Sequence, residues 1–339
     1  MVAFSDVEGI ETMCIKALPY LLEDEQQRLT AQRAGLTDVV LRAMIVFRES
    51  LELHTAAFHT MVLLARPLGG REGMLFDNSM AESSNFSLLG SSSRMHVPTV
   101  AQRARRSGCS NGIQVMLESM NRFESEGKLQ AMACWAMVNI ALSPAQKNML
   151  ISLGGIQATM NAMKKHPYNA DVQFRALFAL INLVVPCKYP TNEIPSATDE
   201  RRGLVSRVSD RPLSEKEALD GLVGDITALV VSAMKNFCSS ETILNRACLV
   251  LHNLSQSQDY HSTLLWTPHC YQMLEWCITN YPTDQVLRRS AVSTLHRLQV
   301  ALSADRSLRA RFSEAIRVQQ DLALQRTTES NEVNSRQTV

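Results

Sequence analysis

Histidine and cysteine are the residue types in this sequence best suited to bind a metal ion or to attack a substrate, and they form no recognisable site. His261, His269 and Cys270 lie close together, but their spacing matches no pattern of zinc ligands. The sequence contains no phosphate-binding glycine loop, no Gly-x-Ser-x-Gly nucleophile turn and no His-Glu-x-x-His zinc helix. We therefore predict that the protein is not an enzyme and that it uses no metal ion and no cofactor.

Cysteine usage indicates a reducing compartment. The chain has eight cysteines and no Cys-x-x-Cys pair, and several fall inside apolar helical patterns, where cysteine acts as a small hydrophobic residue. The amino terminus lacks a basic stretch followed by an apolar one. Apolar runs fall well short of the roughly 18 residues that a membrane-spanning helix needs. We expect a cytoplasmic or nuclear location, or both, and no membrane partner. The cysteines in helical patterns are Cys14, Cys134, Cys248 and Cys277.

Composition and charge narrow the fold class and the partners. The 339 residues carry a net charge of +1, and 45% of them are hydrophobic, which is enough for a sizeable core. Because nucleic-acid binders are usually strongly basic, we do not expect a nucleic-acid partner. Only 6% of the residues are aromatic, and alternating β-branched runs are rare, which favours helices over strands.

The elements that position any site come from an internal repeat. The nine residues that begin at Gly112 resemble those that begin 43 residues later at Gly155, and the match continues without a gap to Asn139 and Asn182. After Gly155, apolar residues recur at helical spacing on both sides of a polar turn at 164–169. Each copy is therefore predicted to contain a helix, a turn and a second, longer helix.

Three further copies are less similar to these two. One begins at Gly224, 69 residues after Gly155, and weaker ones begin at Gly35 and near Pro268. A period of about 42–44 residues lies in the range of armadillo and HEAT repeats. Ser143 and Pro144 are predicted to cap and begin a short helix that leads into the next unit.

The sequence between and outside the copies is less apolar. We predict insertions at about 66–108 and 186–211, where Ser, Gly, Arg or Pro residues accumulate. Residues 35–300 are the predicted repeat domain, and residues 1–34 are a partial repeat that caps its first unit. Residues 301–339 are predicted to hold the end of a helix and then, from about Ser313, a disordered tail.

Two segments resemble the armadillo repeat family, which includes importin-alpha-like and beta-catenin-like superhelices. Residues 133–141, with Trp135 and Asn139, are similar to the third helix of such a repeat, and residues 148–163 resemble its Gly-Gly-Ile junction. The resemblance covers roughly residues 35–298. It implies an all-α fold, a right-handed armadillo- or HEAT-like solenoid of about five repeats, that works as a scaffold or adaptor for protein partners.

The same resemblance implies a concave groove, lined by the third helices, that binds an extended peptide. It points to an Asn near the end of each third helix, since an amide can both donate to and accept from a peptide main chain. An aromatic or apolar residue one turn earlier would separate neighbouring Asn side chains. The predicted groove positions are Trp135, Asn139, Phe178, Asn182, Leu249, Asn253 and, in the outer copies, Val62 and His296 or Arg297.

Arginines on the same helices predict the charge of the ligand. Arg175 and Arg246 each lie seven residues before an Asn, and therefore on the same face of their helix. Arg297 adds another positive charge. Such a groove attracts an acidic or phosphorylated extended peptide and repels a basic one. The alternative is a nuclear-transport-receptor-like cargo adaptor, which predicts acidic residues beside the Asn positions.

Structural interpretations of these residues remain open at this point. The Asn side chains can bond a neighbouring helix, Trp135 can belong to the core, and the Arg side chains can pair with carboxylates. A structural or regulatory subunit that binds through the insertions is a second alternative function. In the first insertion, residues 103–107 resemble a basophilic kinase site with Ser107 as the acceptor, or a weak nuclear-import signal.

Overall fold

The structure is a computed structural model, and it describes residues 5–66, 112–185 and 219–320. Within these ranges every regular element is a helix and none is a strand, which confirms the predicted all-α class. Except for Arg66, the predicted insertions lie outside the described residues. The chain divides into two compact units, unit 1 (Met1–Asp220) and unit 2 (Gly221–Val339).

Unit 1 repeats a motif of three helices, with nine residues in the first, eleven in the second and fourteen in the third. It opens with a single fourteen-residue helix, which has the length of a third helix and precedes the first complete motif. The middle motif is described for its second and third helices. In chain order the helices are α1 (Glu8–Leu21), α2 (Glu25–Arg33), α3 (Leu36–Val46), α4 (Leu51–Leu64), α5 (Gly112–Arg122), α6 (Gly127–Ile140), α7 (Pro144–Ser152), α8 (Gly155–Lys165) and α9 (Ala170–Leu183).

Unit 2 holds the copies predicted near Gly224 and Pro268. The second of them begins with a 3-10 turn at Gln258–Tyr260 and a short helix, and its third helix is longer than those of unit 1. The helices are α10 (Val223–Asn236), α11 (Glu241–Leu254), α12 (His261–Trp266), α13 (Cys270–Asn280), α14 (Gln285–Ala304) and α15 over residues 306–320.

In unit 1 the third helices pack side by side in chain order: α1 on α4, α4 on α6, and α6 on α9. The second helices α3, α5 and α8 form another layer that packs against them. Between the layers lie fully buried apolar side chains such as Phe58, Met137 and Leu180. Each contributes roughly 1.5–3 kcal/mol to folding through burial. In unit 2, α14 packs on α11 in the same manner.

A buried side-chain hydrogen bond recurs near the start of α4, α6 and α9. Gln130 donates from Nε2 to the carbonyl oxygens of Met120 and Phe123, and Gln173 makes the equivalent pair of bonds one repeat later. These bonds give a side-chain donor to carbonyls at the end of the preceding second helix and in the turn after it, where the regular helical bonds stop. His54 holds the same position in α4 and reaches Phe47.

Left-handed residues mark the junction before three of the second helices. Gly35 and Gly154 have φ angles of 76° and 92°, a conformation that glycine adopts without strain. Gly155 is needed for a different reason, because a Cβ there would lie 2.6 Å from the side chain of Leu150. His269 takes the left-handed position before α13, with φ 65°, so this junction had no glycine to reveal it.

Two boundaries differ from the sequence prediction. Pro144 begins α7 as predicted, but the Ser143 hydroxyl does not cap the helix and is instead buried. Helix α15 continues past Ser313, where a disordered tail was predicted to start. Its buried Phe312 packs against the ring of Tyr271 at 5.4 Å, which gives this segment an apolar contact that a tail would lack. Residues 321–339 lie outside the described residues.

Candidate peptide-binding surface on the third helices

The predicted groove residues of unit 1 share one face of α6 and α9. Trp135 and Asn139 are one turn apart on α6, as are Phe178 and Asn182 on α9, and Arg175 precedes Phe178 by three residues. All five side chains are half-buried, whereas the residues between them are mostly buried. We refer to these five residues as the third-helix face.

An aromatic cluster forms the centre of the third-helix face. Trp135 meets Phe178 edge to face at 5.8 Å between ring centroids and stacks on Phe174 at 6.5 Å. The guanidinium of Arg175 lies over the Trp135 ring, 5.3 Å from its centroid, in cation–π geometry. Phe174 was missed from the sequence, because its place beside Trp135 depends on how α6 and α9 pack.

Arg175 is held in place by its own helix. Its Nε donates to Asp171 Oδ1 at 2.8 Å, one turn earlier, and its Nη1 lies 2.9 Å from the sulfur of Met132. The ion pair with the exposed Asp171 holds the Arg175 guanidinium over Trp135 and offsets part of the positive charge of Arg175. Arg175 therefore pairs with a carboxylate and is also partly exposed on the third-helix face.

The Asn side chains of unit 1 bond neighbouring helices. Asn139 donates from Nδ2 to the carbonyl of Val62 at 2.9 Å, and Asn182 donates in the same way to Val138 at 3.0 Å. Each Asn thus ties its third helix to the one before it. Asn182 bonds the residue that precedes Asn139, and Asn139 bonds the residue that precedes Leu63. Leu63, and not Val62, therefore holds the Asn position of the first copy.

Positive charge gathers where α4 and α6 meet this face. Burial lowers the pKa of the His59 imidazole, and the charges of Lys128, Arg175 and Arg66 lower it further. Lys128 and Arg66 are exposed and make no ion pair with any described residue. Three cations thus lie close enough to His59 for their charges to act on its imidazole.

A cleft of about 350 Å³ lies beside His59, between α1 and α4. It occupies the positions of α1 and α4 that correspond to Trp135 and Asn139 on α6, so it extends the third-helix face toward the amino terminus. We refer to it as the α1–α4 cleft. It is lined by Lys16, Pro19, Tyr20 and Glu23 from α1 and by His59, Leu63 and Arg66 from α4 and its end.

In unit 2 the corresponding residues lie on α11 and α14. Arg246 and Leu249 are half-buried on α11, but Asn253 is only 9% exposed. Arg297 replaces the Asn on α14 and, like Asn182, reaches back to the preceding third helix. Its Nη1 lies 3.2 Å from both His252 Nδ1 and the hydroxyl of Ser255, and its charge adds to burial in lowering the pKa of His252.

The candidate metal ligands His261, His269 and Cys270 lie in different surroundings. Among the described residues no three His, Cys, Asp or Glu side chains are placed to share a metal ion. Cys270 is buried, His269 is exposed, and His261 bonds the carbonyl of Ser255 from Nε2. The described cysteines are free thiols. No helix in the described ranges is long and apolar enough to cross a membrane. The candidate phosphorylation site Ser107 lies outside those ranges.

Known structures share this architecture. No protein-family model and no curated protein sequence matches the chain. An engineered protein from a structural genomics programme is similar with a TM-score of 0.57 and 14% identity, over 88% of this chain and 93% of that one. A designed armadillo repeat protein is similar with a TM-score of 0.53 and 13% identity, over 85% of this chain and 92% of that one.

The similarity confirms the predicted fold. The chain has an armadillo-like repeat fold, an all-α solenoid built from three-helix units. Folds of this class generally serve as scaffolds that bind other proteins.

Proposed function

We propose that the protein is a scaffold or adaptor that binds an extended, acidic or phosphorylated segment of a partner protein on the third-helix face of unit 1. The main support is Arg175, which lies half-buried over Trp135. Lys128 and Arg66 add two cations whose charges act on His59 and which form no ion pair with any described residue. Aromatic rings give a peptide a rigid apolar support, and the surrounding cations select its charge. The free thiols support the cytoplasm or the nucleus as the place of action.

The Asn side chains have a smaller part in this proposal than in the sequence prediction. One N–H of Asn139 and one of Asn182 are bonded to neighbouring helices, while the amide oxygens make no hydrogen bond with a described residue. These oxygens can accept from the main chain of a ligand. Replacing the Asn residues would weaken both helix packing and binding, so Arg175 and Trp135 are better test positions.

The test compares two labelled peptides of equal length, one rich in glutamate and one rich in lysine, by fluorescence anisotropy with the full chain. We expect the glutamate-rich peptide to bind, and we expect Arg175→Glu to lower the affinity for this peptide by about tenfold or more, because the change replaces attraction by repulsion. Trp135→Ala is expected to lower the affinity as well. Arg175→Lys, which keeps the charge, should retain most of the affinity.

Arg33→Glu is the matched control, because Arg33 is exposed on α2 and the change in net charge is the same. Equal losses in Arg33→Glu and Arg175→Glu would mean that net charge, and not the third-helix face, binds the peptide. Preferential binding of the lysine-rich peptide would favour the cargo-adaptor alternative. If neither peptide binds and a partner is captured through the insertions at about 66–108 or 186–211, the regulatory-subunit alternative is correct.

A further inference from the structure

The walls and the rim of the α1–α4 cleft differ in chemistry. Pro19 and Leu63 are buried in its walls, and the Tyr20 ring is 79% exposed beside them. His59 and Arg66 bring polar and charged atoms to its rim. A volume of about 350 Å³ that is open on one side suits a single side chain.

The charges around the cleft do not balance. The ammonium of Lys16 is engaged by the carboxylate of Glu52. Arg66 makes no ion pair with a described residue, and Lys128 is a second such cation, whose charge acts on His59 from outside the lining of the cleft. Glu23 supplies the opposing carboxylate at the lining. The balance at the His59 side of the cleft is therefore positive.

We infer that the α1–α4 cleft is a binding site for a phosphorylated side chain, with apolar walls for its carbon atoms and Arg66 and His59 for its phosphoryl group. A dianionic phosphate gains more than a carboxylate from several nearby cations. A bound phosphate also favours the protonated form of His59, in which both ring nitrogens carry a proton that can be donated to an acceptor. This inference refines the proposed function, since it assigns the phosphorylated residue of the ligand to one place.

The experiment follows the His59 ring resonances of the full chain by NMR during titration with phenyl phosphate, with phenol and inorganic phosphate as comparisons. We expect phenyl phosphate to shift these resonances and to raise the pKa of His59. Arg66→Gln should lower the affinity for phenyl phosphate by about threefold to tenfold, as expected for an exposed ionic contact. Glu23→Gln should raise this affinity by about threefold, because the change removes the opposing charge.

Arg33→Gln is the matched control, and its affinity for phenyl phosphate should equal that of the unaltered chain. The inference is wrong if saturating phenyl phosphate leaves the His59 resonances unchanged or if Arg66→Gln binds it equally well. Inorganic phosphate that binds as tightly as phenyl phosphate would also overturn it, because the apolar walls would then contribute nothing. Neither the glutamate-rich peptide nor Arg175 enters this test, so either proposal can fail while the other stands.

Discussion

At the scale of single residues, a side chain can serve the fold and a site at once, and polar residues of unit 1 show which purpose dominates. His54 is 3% exposed and is bonded on both ring nitrogens, with Nδ1 2.7 Å from the Ser119 hydroxyl and Nε2 3.2 Å from the Phe47 carbonyl. The carbonyl requires a donor, so Nε2 carries the proton and the neutral ring accepts from Ser119. Its role is to link α4 with α5 and with the end of α3.

The buried imidazole of His54 makes stability depend on pH. Burial lowers its pKa from 6.5 to about 4, against the opposing effect of its bond to Phe47. Between these two values the unfolded chain takes up a proton that the folded chain excludes, so the free energy of unfolding falls as the pH falls, by up to about 1.4 kcal/mol per pH unit. His54→Gln, which restores the residue type of Gln130 and Gln173, should reduce this dependence in urea unfolding from pH 7 to 4, because it removes the contribution of the buried imidazole.

His296→Gln provides the comparison for His54, because His296 is exposed on α14 and its replacement leaves the buried imidazole in place. The variant should keep the pH dependence of the unaltered chain. An identical slope in His54→Gln would show that other groups cause the loss of stability at acid pH.

The Gln bonds predict a second effect at this scale. Gln173→Leu introduces the residue found at the same position of α11, Leu244, and removes the side-chain donor to the carbonyls of Met163 and His166 at the end of α8. We expect the free energy of unfolding to fall by about 1–3 kcal/mol. Gln157→Leu, an exposed change on α8, should alter it by less than about 0.5 kcal/mol in the same urea titration.

At the scale of elements, the position of α1 at the start of unit 1 depends on a buried ion pair. Glu11 of α1 is fully buried, and its Oε1 lies 3.6 Å from Nη2 of Arg42 on α3, which is also buried. Burial raises the pKa of Glu11, and the charge of Arg42 opposes that shift. The pair thus joins the isolated third helix to the first complete motif, and neither charge is stable there without the other.

Arg42→Leu should therefore release α1 from the rest of unit 1. Removing one partner of a buried pair costs about 3–5 kcal/mol, whereas replacing both by apolar residues is often neutral. We expect faster amide exchange in α1 for Arg42→Leu and recovery of protection in the double variant Glu11→Leu, Arg42→Leu. Equal exchange in all three proteins would show that the apolar contacts of Ile15 with its neighbours suffice to hold the helix.

At the scale of the whole molecule, charge placement and not net charge distinguishes the chain. The net charge is only +1, yet His59 lies among Lys128, Arg175 and Arg66, which come from three segments of unit 1. Residues far apart in the chain contribute to one surface because the third helices pack side by side. A locally basic surface on a nearly neutral protein can select acidic partners without attracting nucleic acid generally.

This placement predicts a dependence on salt. Exposed charges are screened over about 10 Å at 0.1 M ionic strength and over about 3 Å at 1 M. Affinity for the glutamate-rich peptide should therefore fall steadily as sodium chloride is added, and Arg175→Gln should reduce the slope. An affinity that salt does not change would indicate recognition by the aromatic cluster alone.

The sequence by itself determined the repeat, the helical class and the armadillo resemblance, because the apolar spacing of each copy and the Gly154-Gly155 junction are local signals. Tertiary structure decided the rest. Whether Asn139 faces a ligand or bonds Val62, whether Phe174 joins Trp135, and whether Lys128 approaches His59 all depend on how neighbouring third helices pack. Partners from 39 to 77 residues apart leave no trace in local spacing, and His269 shows that even a junction can lack its usual glycine.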